Sequence, residues 1–307
     1  MKLIYLAALM LLLIGGLTRC QSEERDPCVQ ETITDPSYFS TARTLKNTCT
    51  KGDGADYYLA ANQTYRISAD LVIEPGTRIV MGDSAALIVE STASIYAIGR
   101  IDAPVEFTSD NPTAGAWQGI LIQSANTRNT LQYVSIAYAG GAAIDPALPA
   151  AALGLADGSV MDLAYSQFLQ SGGYGLLVQS NAANLRSLES CSFLSSAAAL
   201  RIPALQTHRV SNTNTFTGNT NNYIDVRVGG TITDDLTWAT QTVPYRLFKE
   251  DSSASGIQTI GGNGRLGIDR GNRLEFNDDI GFLTVDNARF FAAGTAERPI
   301  VFSGVRK

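Results

Sequence analysis

The sequence predicts an all-β fold, a right-handed parallel β-helix (solenoid) of roughly ten coils that follows an N-terminal signal segment. Three observations lead to this prediction. A long internal repeat aligns without a gap, short strand-like segments return about every two dozen residues, and helical periodicity is absent after residue 20 outside an Ala-rich insertion at 142–152. Because one coil buries its inward side chains only by stacking on its neighbours, regularly spaced strands are what this fold requires.

The first 19 residues have the pattern of an export signal. Lys2 is followed by fifteen uncharged residues, Leu3–Leu17, an apolar run too short to span a bilayer as a helix. The run ends at Leu17-Thr18-Arg19-Cys20, which resembles the lipobox of bacterial lipoproteins, although Arg19 departs from the small residue usual before the cysteine. The resemblance implies a lipoprotein signal peptide at 1–19 and lipid attachment at Cys20. An ordinary secretory leader is the alternative.

A short acidic segment follows this cysteine. Gln21-Ser22-Glu23-Glu24 resembles the export signal of surface lipoproteins in Bacteroidota-type bacteria. A lipid on Cys20 would anchor the protein to a membrane, so we expect an exported protein at the outer membrane or the cell surface. Residues 20–50 are then an acidic tether and N-terminal cap, and residues 51–307 form the β-helix.

The remaining cysteines fit an exported protein. Cys28 and Cys49 flank a polar stretch and are the disulfide candidates, and a bond that closes a loop of this length is worth about 3 kcal/mol. Cys191 lies in an alternating strand pattern, so we expect a buried free thiol there. No cysteine pair has the spacing of a zinc site.

The internal repeat relates residues 71–109 to residues 266–304 at a constant offset of 195. Ten positions are identical in the two copies: Leu71, Ile73, Gly76, Arg78, Asp83, Ala93, Ala97, Gly99, Pro104 and Phe107, with their partners. The competing all-β folds are a sandwich and an antiparallel barrel. They explain short strands but not a gap-free match that contains several of them.

Between the two copies a shorter rhythm runs along the chain. Four similar segments are Leu131–Ile136, Leu163–Phe168, Leu188–Phe193 and Val210–Phe216, and the last three end 25 and 23 residues apart. Each alternates apolar and polar residues and is bounded by Gly, Asn, Ser or Thr. This is the pattern of short strands separated by turns.

Further segments carry a family resemblance. They are Ile73–Thr77, Ala97–Gly99, Pro104–Asp110 and Gly115–Ile120. Together they resemble exported right-handed parallel β-helix repeat proteins of Bacteroidota, which have a pectin-lyase-like fold, and the resemblance covers about residues 55–307. It implies the fold and export. It does not imply an activity, because these residues build coils.

The second copy of the repeat stops early. It reaches Phe302 and ends at Lys307, without a counterpart of Gly115–Ile120. A solenoid with a bare end presents unpaired backbone groups. The sequence therefore suggests a chain truncated within its last repeat, or an open end that a partner covers.

Composition excludes several classes of function. Lys and Arg number 23 and Asp and Glu 29, so the formal net charge is −6, and no basic cluster offers a site for nucleic acid. The single histidine argues against most His-based catalysis and most His-ligated metal sites. Phosphate-binding loops and a nucleophile elbow are absent from the sequence, and we expect neither a metal nor another cofactor.

Acidic pairs and the lone histidine are the candidates for catalysis. Glycoside hydrolysis needs two carboxylates about 5–9.5 Å apart, but neighbours in a strand point to opposite faces, so neither Asp234-Asp235 nor Asp278-Asp279 forms such a pair alone. Asp83 corresponds to Asp278 across the repeat, which favours a role in turns. His208 lies beside an arginine without an acidic cluster, which is typical of a hydrogen-bonded surface residue. No catalytic residue is predicted.

Tyrosines suggest a ligand site instead. Tyr133 and Tyr165 occupy comparable places in successive units and could form a stripe along one face that stacks against sugars. Stacking inside the solenoid is the alternative, since the sequence does not show which face each ring takes.

These observations predict a cell-envelope-anchored β-helix scaffold, a surface binding or adhesion protein for glycans without catalysis. A polysaccharide lyase or glycoside hydrolase of the β-helix type is the alternative, because dispersed acids can converge in three dimensions. A purely structural envelope protein without a ligand is the third hypothesis.

Overall fold

The chain folds into an all-β parallel solenoid of about 11 turns, which confirms the predicted fold class. The computed structural model describes residue 28 and residues 30–49, 54–250 and 254–305. The predicted signal peptide and Cys20 lie outside the described residues. Within the described ranges, none of the helices has the length and apolarity needed to cross a membrane.

The strands are short because each runs along only one side of a coil. In chain order they are β1 Glu31–Ile33, β2 Arg43–Leu45, β3 Tyr57–Leu59, β4 Thr64–Ile67, β5 Leu71–Ile73, β6 Arg78–Met81, β7 Ala86–Val89, β8 Ile95–Ile98, β9 Val105–Thr108, β10 Gly119–Ile122, β11 Thr130–Gln132, β12 Val134–Ala137, β13 Ala151–Leu155, β14 Val160–Ala164, β15 Gln167–Leu169, β16 Tyr174–Val178, β17 Asn184–Glu189, β18 Ser192–Leu194, β19 Ala198–Pro203, β20 Thr215–Thr217, β21 Asn221–Arg227, β22 Thr231–Ile232, β23 Asp235–Trp238, β24 Tyr245–Phe248, β25 Ile257–Ile260, β26 Arg265–Ile268, β27 Arg273–Phe276, β28 Gly281–Thr284, β29 Arg289–Ala292 and β30 Val301–Gly304. Two short 3-10 helices, η1 Tyr38–Ser40 and η2 Thr207–Arg209, complete the regular structure of the described residues.

Parallel sheets form the sides of the solenoid. Sheet 1 has the order β1-β3-β6-β9-β12-β15-β18-β20, sheet 2 the order β30-β27-β24-β21-β19-β16-β13-β10-β7-β4, and sheet 3 the order β17-β14-β11-β8-β5-β2. Near the C-terminal end, β22-β25-β28 form sheet 4 and β23-β26-β29 form sheet 5. Strands that neighbour in a sheet come from successive coils and pair in parallel, which excludes the sandwich and the antiparallel barrel.

Equivalent residues in the two copies of the internal repeat pair in the same register with the strand one coil away. Arg78 pairs with Glu106 in the first copy, and Arg273 pairs with Val301 in the second, at the offset of 195. The two copies nevertheless lie on different sheets. The first copy places β6 and β9 in sheet 1, whereas the equivalent β27 and β30 lie in sheet 2. The repeated sequence therefore specifies how one coil sits on the next, and not which side of the solenoid a strand occupies.

Inward side chains stack in columns along the solenoid. On sheet 1 the rings of Phe168 and Phe193 lie 4.9 Å apart at 9°, and those of Phe193 and Phe216 lie 5.2 Å apart at 6°. All three rings are buried. Parallel pairing in register holds like residues one coil apart, which places these aromatic rings in a parallel stack.

Buried asparagines join successive coils at the corners. Asn214 is 2% exposed, accepts a hydrogen bond from the backbone N–H of Cys191 at 2.9 Å, and donates from Nδ2 to the carbonyl of Leu188 at 2.9 Å. The side chain amide thus replaces the backbone pairing that is interrupted where the chain turns. A buried corner without it would leave these backbone groups unpaired, at a cost of about 1–3 kcal/mol each.

The Ala-rich insertion forms no helix. Residues 142–150 run irregularly over the outer face of sheet 2, and Ala151 and Ala152 already belong to β13. Ile144 and Leu148 of the insertion lie beside the outward-facing Leu121 and Leu177, which are only 3% and 2% exposed. The insertion therefore covers an apolar strip that the sheet would otherwise present to water.

Truncating the central ring of the aromatic column tests this packing. Phe193→Ala is expected to lower the free energy of unfolding by about 3–5 kcal/mol, because it leaves a cavity between two stacked rings. Phe291→Ala is the control, since Phe291 is 54% exposed and its loss should cost less than about 1 kcal/mol. Denaturation midpoints in urea measure both effects, and equal losses would contradict a column that is tightly packed inside the solenoid.

Candidate functional site

The corner between sheet 3 and sheet 1 is the first candidate site. In three successive coils a single residue at this corner adopts the left-handed backbone conformation: Tyr133 at φ 51°, Tyr165 at φ 51° and Ser190 at φ 52°. We call these three residues the tyrosine corner. The conformation costs a non-glycine residue about 1–2 kcal/mol, but it turns the chain from one sheet to the next within one residue.

The two tyrosines stack on the outside of the solenoid. Their ring centroids lie 4.9 Å apart and their planes differ by 10°. Tyr165 is 46% exposed, and Tyr133 is partly exposed. The rings are therefore placed at the surface, while the inward side chains of the same coils, Ile136 and Phe168, fill the interior.

A concavity of about 330 Å³ lies along the tyrosine corner. Its polar lining includes Ser135, Gln167 and Ser192 from the adjoining strands of sheet 1. The side chain of Gln167 donates to the Ser135 hydroxyl at 2.9 Å, which holds both groups at the edge of the rings. This lining offers uncharged hydrogen-bond donors and acceptors beside an aromatic surface.

A turn in the preceding coil forms one wall of the concavity. Arg100 and Ala103 pair as an antiparallel bridge, and Ile101 at the tip is 87% exposed. The guanidinium of Arg100 lies 3.3 Å from the carboxylate of Asp102, so the turn carries paired charges. The concavity therefore has no unpaired charge in this wall.

The outer face of sheet 2 is the second candidate site. Arg201, Asp225, Arg246 and Glu275 occupy one register column, each paired with the next across a coil. We call these four residues the charged column. Arg246 contacts Glu275 through Nε and Nη2, at 3.0 Å and 2.7 Å. Arg201 is bound to Glu250, a neighbour outside the column.

Asp225 is the half-buried centre of this column. The hydroxyl of Tyr174 donates to its Oδ2 at 2.5 Å. Burial raises the pKa of Asp225, and it outweighs the opposite effects of the Tyr174 hydrogen bond and of the two neighbouring arginines. Burial and the adjacent carboxylate also raise the pKa of Tyr174. A carboxyl and a phenol that share a short hydrogen bond between two guanidinium groups can hold and pass a proton.

The sequence alone does not show that the residues of the charged column are neighbours. The column partners of Arg201 follow it at intervals of 24, 21 and 29 residues. The unequal intervals hide the register, because loops of different length separate strands that lie one coil apart. The sequence feature that could have revealed the column is the alternation of basic and acidic residues at intervals close to the length of one coil.

The cysteines that were predicted to pair are joined in the structure. Cys28 and Cys49 form a disulfide with a Cα–Cα distance of 4.7 Å. The carboxylate of Asp56 accepts from the backbone N–H groups of Cys49 and Arg78, both at 2.7 Å, and so fixes the disulfide loop to the first coils. Cys191 is a buried free thiol, and burial raises its pKa to about 11. That pKa is not that of a nucleophile.

The acidic pairs lie in exposed positions. Asp234-Asp235 stand at the start of β23, and Asp278-Asp279 lie in the turn between β27 and β28. Asp83 lies in the equivalent turn of the first copy, where Ser84 has the same left-handed conformation as Asp279. The repeat thus reproduces a turn.

His208 is held within η2. Its Nδ1 lies 2.9 Å from the carbonyl oxygen of Leu205. Burial lowers the pKa of His208, and the charge of Arg209 lowers it further. Among the residues that the structure describes, no group of three or more His, Cys, Asp or Glu side chains could hold a metal ion.

Comparison with known families supports the fold. A family model described as a pectate-lyase-like beta helix domain matches residues 43–145, about a third of the chain. Searches of the curated proteins and of the solved structures found no match. Tyr133 lies within the matched residues, whereas Tyr165, Ser190 and the charged column lie beyond them. The match gives these side chains no role.

The half-buried carboxyl of Asp225 predicts a dependence of stability on pH. Its pKa is raised above the ordinary 3.8, so the folded state holds this proton more tightly than the unfolded chain, and the stabilisation is lost as the pH rises through the raised pKa. Asp225→Asn cannot titrate, and its denaturation midpoint should fall less than that of the wild type between about pH 4 and pH 7.

A contrasting variant sharpens this measurement. Tyr174→Phe removes the hydrogen bond that lowers the pKa of Asp225, so its midpoint should depend on pH more steeply than that of the wild type. Identical pH profiles for all three proteins would refute a raised pKa at Asp225.

Proposed function

We propose that this protein is a β-solenoid scaffold that binds glycans at the tyrosine corner, held at the cell envelope by an N-terminal lipid and without catalytic activity. The observation that carries the proposal is the exposed tyrosine stack. Tyr165 packs on Tyr133 with parallel rings, yet 46% of it remains open to solvent. Large exposed aromatic surface next to a concavity is typical of ligand sites.

The chemistry of the corner fits a sugar. A sugar ring has C–H groups on its faces, which pack on the electron-rich face of a tyrosine, and hydroxyls on its edge. Ser135, Gln167 and Ser192 offer those hydroxyls uncharged donors and acceptors at the side of the rings. An apolar platform with a polar edge suits such a ligand better than a purely apolar or a highly charged one.

The strained backbone also supports a functional role. Asn and Gly adopt the left-handed conformation more easily than Tyr, yet both Tyr133 and Tyr165 adopt it. Backbone strain of this kind gathers at functional sites. The corner turn alone does not need two aromatic rings on the outside of the solenoid, since Ser190 makes the same turn without one.

The envelope location rests on the N-terminal sequence. The apolar run after Lys2, the lipobox-like segment ending at Cys20 and the acidic residues that follow are the features of an exported, lipid-anchored protein. A disulfide between Cys28 and Cys49 is compatible with an oxidising compartment. A rigid solenoid on such an anchor would hold the tyrosine corner away from the membrane.

Replacing the exposed tyrosine tests the proposal. Tyr165→Asn removes the ring and places a residue that favours the left-handed conformation, so the fold should be kept while glycan binding falls at least about tenfold. The full chain is screened on an array of neutral and acidic oligosaccharides, and the affinities are measured by calorimetry.

The matched control is Tyr138→Asn. Tyr138 has the same handedness at φ 62° but lies at the other end of β12, outside the concavity, so this variant should bind like the wild type. If the wild-type chain binds no glycan, or if both variants bind equally well, the proposal is wrong.

A polysaccharide-active enzyme is the second candidate function. The Tyr174–Asp225 pair between Arg201 and Arg246 favours it, because a proton-holding pair beside cations suits chemistry on an acidic sugar. Arg201 and Arg246 are already bound to Glu250 and Glu275, which leaves them less free to take a substrate carboxylate. We therefore rank this function second.

Product release distinguishes the two functions. Under the enzyme reading, the full chain would release oligosaccharides from uronate-rich polymers, and Asp225→Asn and Tyr174→Phe would each lower the rate at least about a hundredfold. Under the binding reading, wild type and both variants release nothing above buffer. The ultraviolet absorbance of unsaturated uronates reports lyase products, and a reducing-end assay reports hydrolase products.

A further inference from the structure

The outer stack of the tyrosine corner stops one ring short. Tyr133, Tyr165 and Ser190 have the same backbone conformation in three successive coils, but only the first two carry rings. Inside the solenoid the stack does not stop there. Phe193, three residues after Ser190, continues the column of Phe168, and Phe216 continues it again. The change from ring to hydroxyl is therefore confined to the outer surface.

Within the described part of the chain, one face of the Tyr165 ring has no aromatic partner. Tyr133 covers the face toward the preceding coil at 4.9 Å. The coil on the opposite side carries Ser190 at the equivalent corner, and its small side chain leaves the place of a third ring unfilled. Since successive coils are separated by about 4.8 Å, this place has the thickness of one stacked ring.

Hydroxyl groups border this place. Ser190 and Ser192 line the same concavity as Tyr165. The Ser190 backbone N–H binds the Thr213 hydroxyl at 2.8 Å, and the Ser192 hydroxyl accepts from Thr215 at 2.9 Å, so the following coil continues the polar border. Among the residues that the structure describes, Arg100 is the only charged side chain that lines the concavity; it lies on the far side of Tyr133 and is paired with Asp102.

We propose that Tyr165, Ser190 and Ser192 form a subsite for one neutral sugar ring, which stacks on the free face of Tyr165 where a third tyrosine would lie. The proposal rests on the glycan-binding function proposed above and deepens it. The three subsite residues are uncharged, and Arg100 lies on the far side of Tyr133 and is paired with Asp102, so the subsite offers no free charge to a carboxylate or a sulfate of the ligand. The space beside Tyr165 is only as thick as one ring, so it accommodates one sugar unit of the glycan. The other sugar units then extend along the open concavity.

Completing the stack tests the subsite. Ser190→Tyr adds a ring at a corner whose backbone already matches that of Tyr133 and Tyr165, so the new ring should occupy the place of the sugar. The probes are neutral cello-, manno- and galacto-oligosaccharides, with oligogalacturonate as the acidic comparator. Affinity for the best neutral probe should fall at least about tenfold, while the denaturation midpoint stays equal or rises.

The matched control is Ser195→Tyr. Ser195 lies five residues later in the same coil and has the same φ of 52°, but it stands at the corner between sheet 1 and sheet 2, outside the concavity. This variant should bind like the wild type. If Ser190→Tyr does not fold, Ser192→Gln replaces it. Gln is compatible with that column because Gln167 is the register partner of Ser192, and the longer side chain should also weaken binding.

The outcomes separate the subsite from the wider function. If Ser190→Tyr, or Ser192→Gln in its place, binds like the wild type while Tyr165→Asn does not bind, glycan binding stands and the subsite is wrong. If oligogalacturonate binds more tightly than every neutral probe, the ligand class is wrong. If the wild type binds none of the probes, the subsite and the proposed function both fail.

Discussion

Parallel pairing in register between successive coils is the constraint on which the rest of the structure depends. Each strand hydrogen-bonds to the strand one coil away at about 4.8 Å, so a paired strand residue has a fixed neighbour in the adjacent coil. Side chains at one register position then form a column along the solenoid. The stack of Phe168, Phe193 and Phe216, the stack of Tyr133 on Tyr165, and the charged column are three results of this one constraint.

The corners show how the constraint is kept where strands end. A residue in the left-handed conformation turns the chain at its surface, and buried amides such as Asn214 pair with the coil below where backbone pairing is interrupted. The insertion at 142–150 lies outside the columns, and it covers the outer face of sheet 2 without changing the register beneath it. Inner and outer columns can therefore differ in the same coils. An aromatic column continues inside while the outer one stops at Ser190.

The sequence predicted the tyrosine corner better than the charged column. Tyr133 and Tyr165 lie at the same position of two similar segments, Leu131–Ile136 and Leu163–Phe168, so their proximity follows from the repeat. Asp225 belongs to a column whose members are unevenly spaced in the chain, and its partner Tyr174 is 51 residues away. No local pattern connects them, because the loops that set the spacing do not form part of the column.

The sequence by itself determined the class of the fold. The alternation of apolar and polar residues in short strands and the gap-free repeat are local sequence features, and together they specify that the chain forms stacked coils. The leader and the acidic segment that predict export are also local features. Only the tertiary structure decided which face each ring takes and which sheet each copy of the repeat occupies. Those properties depend on the cumulative register of all preceding coils, and a turn one residue longer or shorter changes them while leaving each local pattern intact.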